Sequence, residues 1–311
     1  MRALAPAEAA YRGVNRLHRA LFRAGVLRQA RLPVPVISIG NRAVGGSGKT
    51  PAVIAVARGL IARGVRPAVL TRGYGRISRE EPIRVDRPDP SRFGDEPVVI
   101  HSALGGVDVI VGSDRAAAGR WYLERSRCDV FLLDDGFQHL RLAREVDLVL
   151  ETPRARWYRE GPSALRDADV LLLRDGASPP GSLPRFRAEL RPAGWDLGGS
   201  IVPPRALAGA RVVAFAGLAD NEQFFRMVES LGVDLRRRIP FRDHHVYTEH
   251  DLIRIEAIRR DVGADRIVTT AKDRVKLVPV DAAALLVEME IEREEAFFDL
   301  LLEKLGGELG R

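Results

Sequence analysis

Cysteine is almost absent from this chain of 311 residues: Cys128 is the only one. A single thiol excludes a disulfide framework and a multi-cysteine metal centre, and makes a reducing cytoplasm the expected compartment. Long apolar runs are missing as well. No window reaches the roughly 18 uncharged apolar residues of a membrane-spanning helix, and the N-terminus lacks an apolar core of signal-peptide type. There is no internal repeat, and no cysteine–histidine cluster with metal-ligand spacing. What remains, 46% hydrophobic and 29% charged residues, is the make-up of an ordinary globular protein. The length suits one large domain and one small one.

The formal charge of +7 is unevenly placed. Residues 1–31 hold Arg2, Arg12, Arg16, Arg19, Arg23, Arg28 and Arg31 against Glu8 alone, nearly the whole surplus. Basic character confined to one end argues against a protein that coats nucleic acid along its length, so no nucleic-acid partner is expected. Over residues 8–30 the spacing predicts an amphipathic helix. Ala10, Val14, Leu17 and Leu21 form one stripe, and Arg12, Arg16, Arg19 and Arg23 repeat it two residues on, about 200° around the helix. Such a helix can lie on an anionic membrane surface with its arginines at the head groups. Alternatively it packs on its own domain with a solvated arginine face. The sequence leaves both open, and no obligate protein partner is evident in it.

From Pro33 onward, apolar strand candidates (34–39, 67–71, 107–111, 129–134, 147–150 and 169–173) alternate with helices at 50–63 and 114–126. This alternation predicts an α/β fold with a mostly parallel sheet flanked by helices and ligands at the carboxyl ends of the strands. A Pro/Gly-rich stretch, 176–208, is expected to act as a hinge. A smaller αβ unit follows, with strands at 211–215, 266–269 and 284–288 and helices at 221–231, 249–260 and 293–304. The expected organisation is a basic arm (1–31), a nucleotide-binding domain (32–205) and a smaller domain (206–311) whose last helix is free to return to the first.

The most informative stretch joins the strand ending at Ile39 to a helix opening near Thr50. Between them Ala43, Val44, Gly45, Gly46, Ser47, Gly48, Lys49 and Thr50 match the phosphate-cradling pattern Gly-x-x-x-x-Gly-Lys-Ser/Thr, with Ala43 in place of the first glycine. Small residues let successive N–H groups point at an anion, the lysine adds a mobile positive charge, and the threonine hydroxyl is available to Mg²⁺. Pro51 fits the first helical turn, where an N–H has no intrahelical use. A bare strand-to-helix turn would share the glycines but has no need of Lys49 and Thr50.

Asp129-Val-Phe-Leu-Leu-Asp134 supplies the expected companion. Four apolar residues carry Asp134 to a strand end, where a carboxylate can orient the Mg²⁺ held by Thr50 and the phosphates of ATP. A guanine-selecting Asn/Thr-Lys-x-Asp element is missing, because the nearest candidate, Thr270-Ala-Lys-Asp273, has the wrong order. The upstream lysine loop of partition-type ATPases is replaced by Ala43 and Val44. These absences favour a small-molecule kinase over a nucleotide switch or metallochaperone, and a kinase of a soluble sugar or nucleoside stays open on the residues alone.

Further motifs occur in order: Ser38-Ile-Gly-Asn41, the loop through Pro51, Thr71-Arg-Gly-Tyr-Gly-Arg76, Gly94-Asp-Glu-Pro97, Leu133-Asp-Asp-Gly-Phe-Gln-His139, Phe241-Arg-Asp-His-His245 and Thr269-Thr-Ala-Lys-Asp273. Over roughly residues 8–290 the chain resembles the tetraacyldisaccharide 4′-kinase family, the lipid A 4′-kinases of Gram-negative bacteria. The resemblance implies transfer of the ATP γ-phosphoryl group to the 4′-hydroxyl of a tetraacylated disaccharide 1-phosphate, by a peripheral protein at the cytoplasmic face of the inner membrane. It implies Lys49 on the β/γ-phosphates and Thr50 with Asp134 on Mg²⁺. Asp95 matches the family's general base, supported by His244. Asp135, Gln138 and His139 are expected to line the site, and Arg72 and Arg115 to contact phosphate. Two positions depart from the family. Arg242 stands where proline is usual, and a longer substrate segment is reduced to Trp157-Tyr-Arg-Glu-Gly-Pro162, of which Arg159 and Glu160 carry over.

Overall fold

The structure is a computed structural model that describes residues 5–43, 45–46, 48–153, 157–277 and 281–306, the side chains of 5–11 excepted. Val44 and Ser47 of the predicted phosphate loop lie outside the described residues.

Strands and helices alternate from Val36 onward. After helix α1 (Ala5–Arg23) come β1 (Val36–Asn41), α2 (Lys49–Ala62), β2 (Pro67–Thr71), β3 (Ile83–Arg84), α3 (Pro90–Phe93), α4 (Asp95–Ala103), β4 (Val109–Val111), α5 (Arg115–Leu123), β5 (Val130–Asp134), β6 (Val146–Glu151) and β7 (Val170–Leu173). Then follow β8 (Arg185–Asp196), β9 (Ile201–Val202), β10 (Arg211–Ala216), α6 (Asn221–Ser230), β11 (Asp234–Pro240), α7 (Glu249–Asp261), β12 (Arg266–Thr270), α8 (Ala271–Arg274), β13 (Ala282–Ile291) and α9 (Glu294–Leu305). Among the described residues the strands form one sheet, ordered β11-β10-β12-β13-β8-β7-β6-β1-β5-β2-β4-β3, with β9 beside β8.

Strand β1 runs parallel between β5 and β6, and all six of its residues are buried. A strand covered on both faces needs an unbroken apolar run, which is why Val36–Ile39 reads that way. The register sets Ile39 beside Asp134, so the chain leaves β1 toward the phosphate loop next to the carboxylate that ends β5. Helix α2 buries Val53, Val56 and Leu60 in the same core as Phe297, Phe298 and Leu301 of α9. Gly59 makes the socket for that return: a Cβ there would lie 1.9 Å from Phe298 Cζ.

The stretch predicted as a hinge holds a twelve-residue strand, β8. It starts parallel to β7 and finishes antiparallel to β13, carrying the sheet from one half of the chain into the other. Pro192 had hidden this strand. It pairs with Val287, where the register slips, and a bulge is among the few places where a strand tolerates proline. Strand β11 escaped the periodicity too, because Arg236, Arg237 and Arg238 mask its alternation. It closes one end of the sheet order, and charged edge strands are tolerated because one rim faces water.

Helix α1 is shorter than the predicted 8–30. Gly25, with φ 70°, ends it in a left-handed turn, with Gly25 N–H donating to the Phe22 carbonyl and Val26 N–H to that of Leu21. Its packing departs from the solvated-arginine expectation at one position, while Arg16 stays exposed. Arg19 is 3% exposed and faces inward. Its Nε lies 2.8 Å from Glu160 Oε2 and its Nη1 3.0 Å from Asp167 Oδ2, while Nη2 donates to the Phe137 carbonyl at 2.7 Å. Arg23 Nε donates to Asp167 Oδ1 at 2.7 Å, and Asn15 to the Arg159 carbonyl at 2.9 Å. Val14 (66% exposed) and Leu17 (62%) point outward. The physical reason is partner supply: Glu160 and Asp167 match a planar fork of donors better than a short Ala/Val/Leu stripe matches any apolar surface nearby. Among the described residues, no helix is long and apolar enough to cross a membrane.

Candidate active site

The carboxyl ends of β1, β2 and β5 open into a cleft of about 650 Å³, the expected ligand edge of such a sheet. Gly45 (φ 81°) and Gly48 (φ 84°) adopt left-handed backbone there, which side chains with a Cβ resist. Gly45 is also crowded from the far half of the chain, since a Cβ would lie 2.7 Å from Ala219 Cβ. Gly48 caps α2 without a side-chain bond, which leaves the first N–H groups of that helix open to an anion. Lys49 and Thr50 form the first turn and line the cleft, with Lys49 Nζ 3.5 Å from Asp135 Oδ1.

Asp134 ends β5 and is buried. Thr71 Oγ1 donates to its Oδ2 at 2.9 Å, whereas Oδ1 has no hydrogen-bond partner among the described residues. Burial, and then the negative charges of Glu96 and Asp135, push its pKa up to about 7. Asp135 goes the other way: burial raises it, but Lys49 and Arg159 outweigh burial and hold it below the usual carboxylate range. Two neighbouring carboxylates, one with an orphaned oxygen, thus face the turn that carries Thr50. That donor set fits a hard divalent cation, which satisfies the oxygen and cancels the like-charge repulsion.

Across the cleft, Asp95 opens α4 and is buried. Its Oδ1 accepts from the Glu96 N–H at 2.9 Å, and its Oδ2 lies 3.1 Å from His244 Nδ1. Lys276 and Lys272 stand 3.7 and 3.9 Å from the same Oδ2. Burial raises Asp95, but the His244 hydrogen bond and the two ammonium groups outweigh it and hold the carboxylate below its usual range. His244 has φ 57°, a left-handed conformation uncommon outside glycine, and its N–H donates to Asp243 Oδ1 at 3.0 Å. The ring of Tyr74 meets its ring edge-on at 4.8 Å. Arg242, where proline was expected, leaves this arrangement intact: the chain turns through an Arg242 carbonyl to His245 N–H bond.

The remaining predicted residues divide into two groups. Arg159 Nη1 bonds Asp135 Oδ2 at 3.1 Å and Gln138 Oε1 at 3.2 Å, and Gln138 donates onward to the Asn41 carbonyl at 2.9 Å. Arg115 is buried, donates to the Ser113 carbonyl at 3.0 Å, and keeps Nε without a bond among the described residues. His139 is lowered to about 4 by burial and by the nearby Arg115 and Arg144, so it is neutral at physiological pH. Arg72 is exposed at the cleft wall. Periodicity and motif reading assigned no role to Glu96, Tyr74 or Lys272, nor to the apolar wall made by Leu190, Phe224, Met227, Leu285 and Val287. The first three stand inside quoted motifs, so their presence was visible; the wall comes from elements that only the fold brings together.

The sequence matches the family described as Tetraacyldisaccharide-1-P 4′-kinase over residues 1–306. Among curated proteins it is 44% identical over 287 residues to the tetraacyldisaccharide 4′-kinase of Geobacter metallireducens, covering 85% of each chain. It is 37% identical over 324 residues to that of Syntrophus aciditrophicus, covering 90% of this chain and 86% of the relative. Among solved structures, LpxK from Aquifex aeolicus in complex with ATP superposes with a TM-score of 0.80 at 30% identity, over 97% of this chain and 98% of that one. With an ordered set of motifs, a shared fold and whole-chain similarity in agreement, the chain belongs to the tetraacyldisaccharide-1-phosphate 4′-kinase family.

Proposed function

We propose that the protein transfers the γ-phosphoryl group of ATP to the 4′-hydroxyl of a tetraacyldisaccharide 1-phosphate, a lipid A precursor. The observation that carries this reading is the meeting of two half-sites at one cleft: the phosphate loop lines one side, and on the other His244 lines the cleft and holds the buried Asp95 behind it at 3.1 Å. The first half-site and Asp95 come from a nucleotide lobe (32–205), and His244 from a smaller lobe (206–311). Gly45, Gly46, Gly48 and Lys49 line the cleft and would cradle the triphosphate, with Lys49 on the β/γ-phosphates, and the apolar wall near Met227 would take the adenine ring. Thr50 and Asp134 would hold Mg²⁺, which when bound would neutralise phosphate charge. Arg72 and Arg115 contact phosphate, and Asp135, Gln138, His139 and Arg159 border the acceptor. Asp95 accepts the hydroxyl proton, oriented by His244. Most of the barrier reduction then comes from positioning and charge neutralisation.

The test is incubation with γ-labelled ATP, Mg²⁺ and a tetraacyldisaccharide 1-phosphate. Label in the lipid fraction is the expected outcome; label in a soluble sugar or nucleoside instead overturns the reading.

The protein works at the cytoplasmic face of the inner membrane, held peripherally through α1. The apolar side of α1 and the turn that follows it make this contact, since Val14, Leu17 and, past the helix end, Val26 are each more than 60% exposed while Arg19 pairs with Glu160 and Asp167. Arg16 and Arg28, also exposed, are placed to meet anionic head groups. The double substitution Val14→Asp/Leu17→Asp is accordingly expected to abolish flotation with vesicles containing anionic lipid while leaving the thermal midpoint nearly unchanged. Equal flotation of wild type and variant sinks the membrane assignment.

A further inference from the structure

Lys272 lies on α8, just past the end of β12, and its ammonium meets three acceptors. Nζ is 3.2 Å from His244 Nε2, 3.3 Å from Asp243 Oδ1 and 3.4 Å from Glu96 Oε1. An ammonium has three donors and no acceptor, so its contact with the imidazole has one possible polarity: Nε2 accepts. The proton of a neutral imidazole then sits on Nδ1, the atom 3.1 Å from Asp95 Oδ2. An ionised carboxylate can only accept, so the second contact runs from Nδ1–H to Asp95.

We propose that Lys272 is a positioning residue of the phosphoryl-transfer site, which locks His244 in the Nδ1–H tautomer and so aims a donor at Asp95. The lysine anchors the ring from outside the dyad: Glu96 and Asp243 take two of its donors, and the imidazole takes the third. Its charge is secure, because Glu96, Asp95 and Asp243 together outweigh burial and hold its pKa above the usual lysine value. Without it, the Nε2–H tautomer becomes available, and that form turns the Nδ1 lone pair against the Asp95 carboxylate. The polarity also fixes where a proton goes. With Nε2 occupied by Lys272 and Nδ1 already protonated, His244 has no free site for the acceptor's proton in this arrangement, and Asp95 receives it.

This inference rests on the proposal that Asp95 and His244 act as a pair, and the experiment separates the two. The ring nitrogens of ¹⁵N-histidine-labelled protein report the tautomer directly, with His244 identified by the signal that vanishes in His244→Gln. Wild type is expected to show a protonated Nδ1 and a bare Nε2. In Lys272→Met the two tautomers mix or reverse, and kcat falls about 10- to 100-fold, the usual cost of losing a supporting contact, with the KM for ATP little changed. Lys272→Arg keeps a donor and restores part of kcat, which also covers the case in which the methionine variant fails to fold. An Nδ1–H tautomer and full kcat retained in either folded variant without a side-chain donor, Lys272→Met or Lys272→Leu, overturns the lock. Full activity in Asp95→Asn and His244→Gln, together with a reversed tautomer in Lys272→Met, instead overturns the dyad and leaves the lock standing.

Discussion

Asp95→Asn is expected to lower kcat by about 10²- to 10⁴-fold, the range of a lost general base, while the KM for ATP changes little. Asparagine has nearly the same shape, and its amide oxygen still accepts from His244 Nδ1–H, now 3.1 Å away across the dyad. The His244 contact is kept, while the proton acceptor, the Glu96 N–H bond and the charge facing Lys272 and Lys276 are lost. The pH dependence has a defined sign. A carboxylate held below its usual range contributes stability that is present above its unfolded value, near about 4, and lost as pH falls through the folded one. The stability gap between wild type and Asp95→Asn is thus expected to be flat from pH 8 to 5 and to close in stronger acid. Adding His244→Gln to Asp95→Asn should cost little more, since a residue that acts through Asp95 has nothing left to orient. A combined loss equal to the product of the two single losses means that they work independently, and the dyad is then wrong.

Asp134→Asn is expected to move activity and stability in opposite directions. Activity should fall by about 10²- to 10³-fold or more, as for removal of a preorganised electrostatic contact, because one carboxylate charge of the proposed cation site is gone. Stability in the absence of nucleotide and metal should rise at pH 8. Wild type ionises a fully buried carboxyl beside Glu96 and Asp135 there, with a pKa pushed up to about 7. For a group raised in the folded state, the favourable contribution is complete below the unfolded value and is lost as pH climbs through about 7. The asparagine variant escapes that loss, so its advantage should be on the order of a few kcal/mol at pH 8 and shrink toward zero near pH 4. Asparagine can still accept the Thr71 hydroxyl bond, which keeps the comparison clean. Thermal midpoints measured across that pH range decide the matter: a variant that melts lower than wild type at pH 8 sinks the electrostatic account. Such a trade is the usual mark of a site where binding chemistry was retained at the expense of stability.

The alternation of β1, α2, β2, β4, α5, β5, β6 and β7 was legible because a parallel sheet buried on both faces writes itself as uninterrupted apolar segments. The phosphate loop was legible for a related reason: left-handed backbone at Gly45 and Gly48 demands residues that are visible one at a time. Strands β8 and β11 were not legible. Proline in one and three arginines in the other obey rules of bulges and edges, and those rules apply only once neighbouring strands are known. At the site, Asp95 and His244 looked like a helix-capping residue and a surface histidine until family resemblance paired them. They are 149 residues apart in the chain, and no local spacing could join them.

Helix α1 marks the boundary between the two kinds of information. Its amphipathic spacing is a property of the sequence, set by the 3.6-residue turn, and it survives intact in the structure. Which stripe faces inward is not a local property. Glu160 and Asp167 draw Arg19 in from more than 140 positions away, and Val14 and Leu17 are left outside. The sequence by itself determined the sheet order's core segments, the phosphate loop and the family, because each is encoded in neighbours along the chain. Tertiary structure alone decided the direction of the basic helix, the strand hidden in the supposed hinge and the contact that joins Lys272, His244 and Asp95. Each of those depends on charges and hydrogen-bond partners meeting across the fold, where position in the chain carries no record of distance.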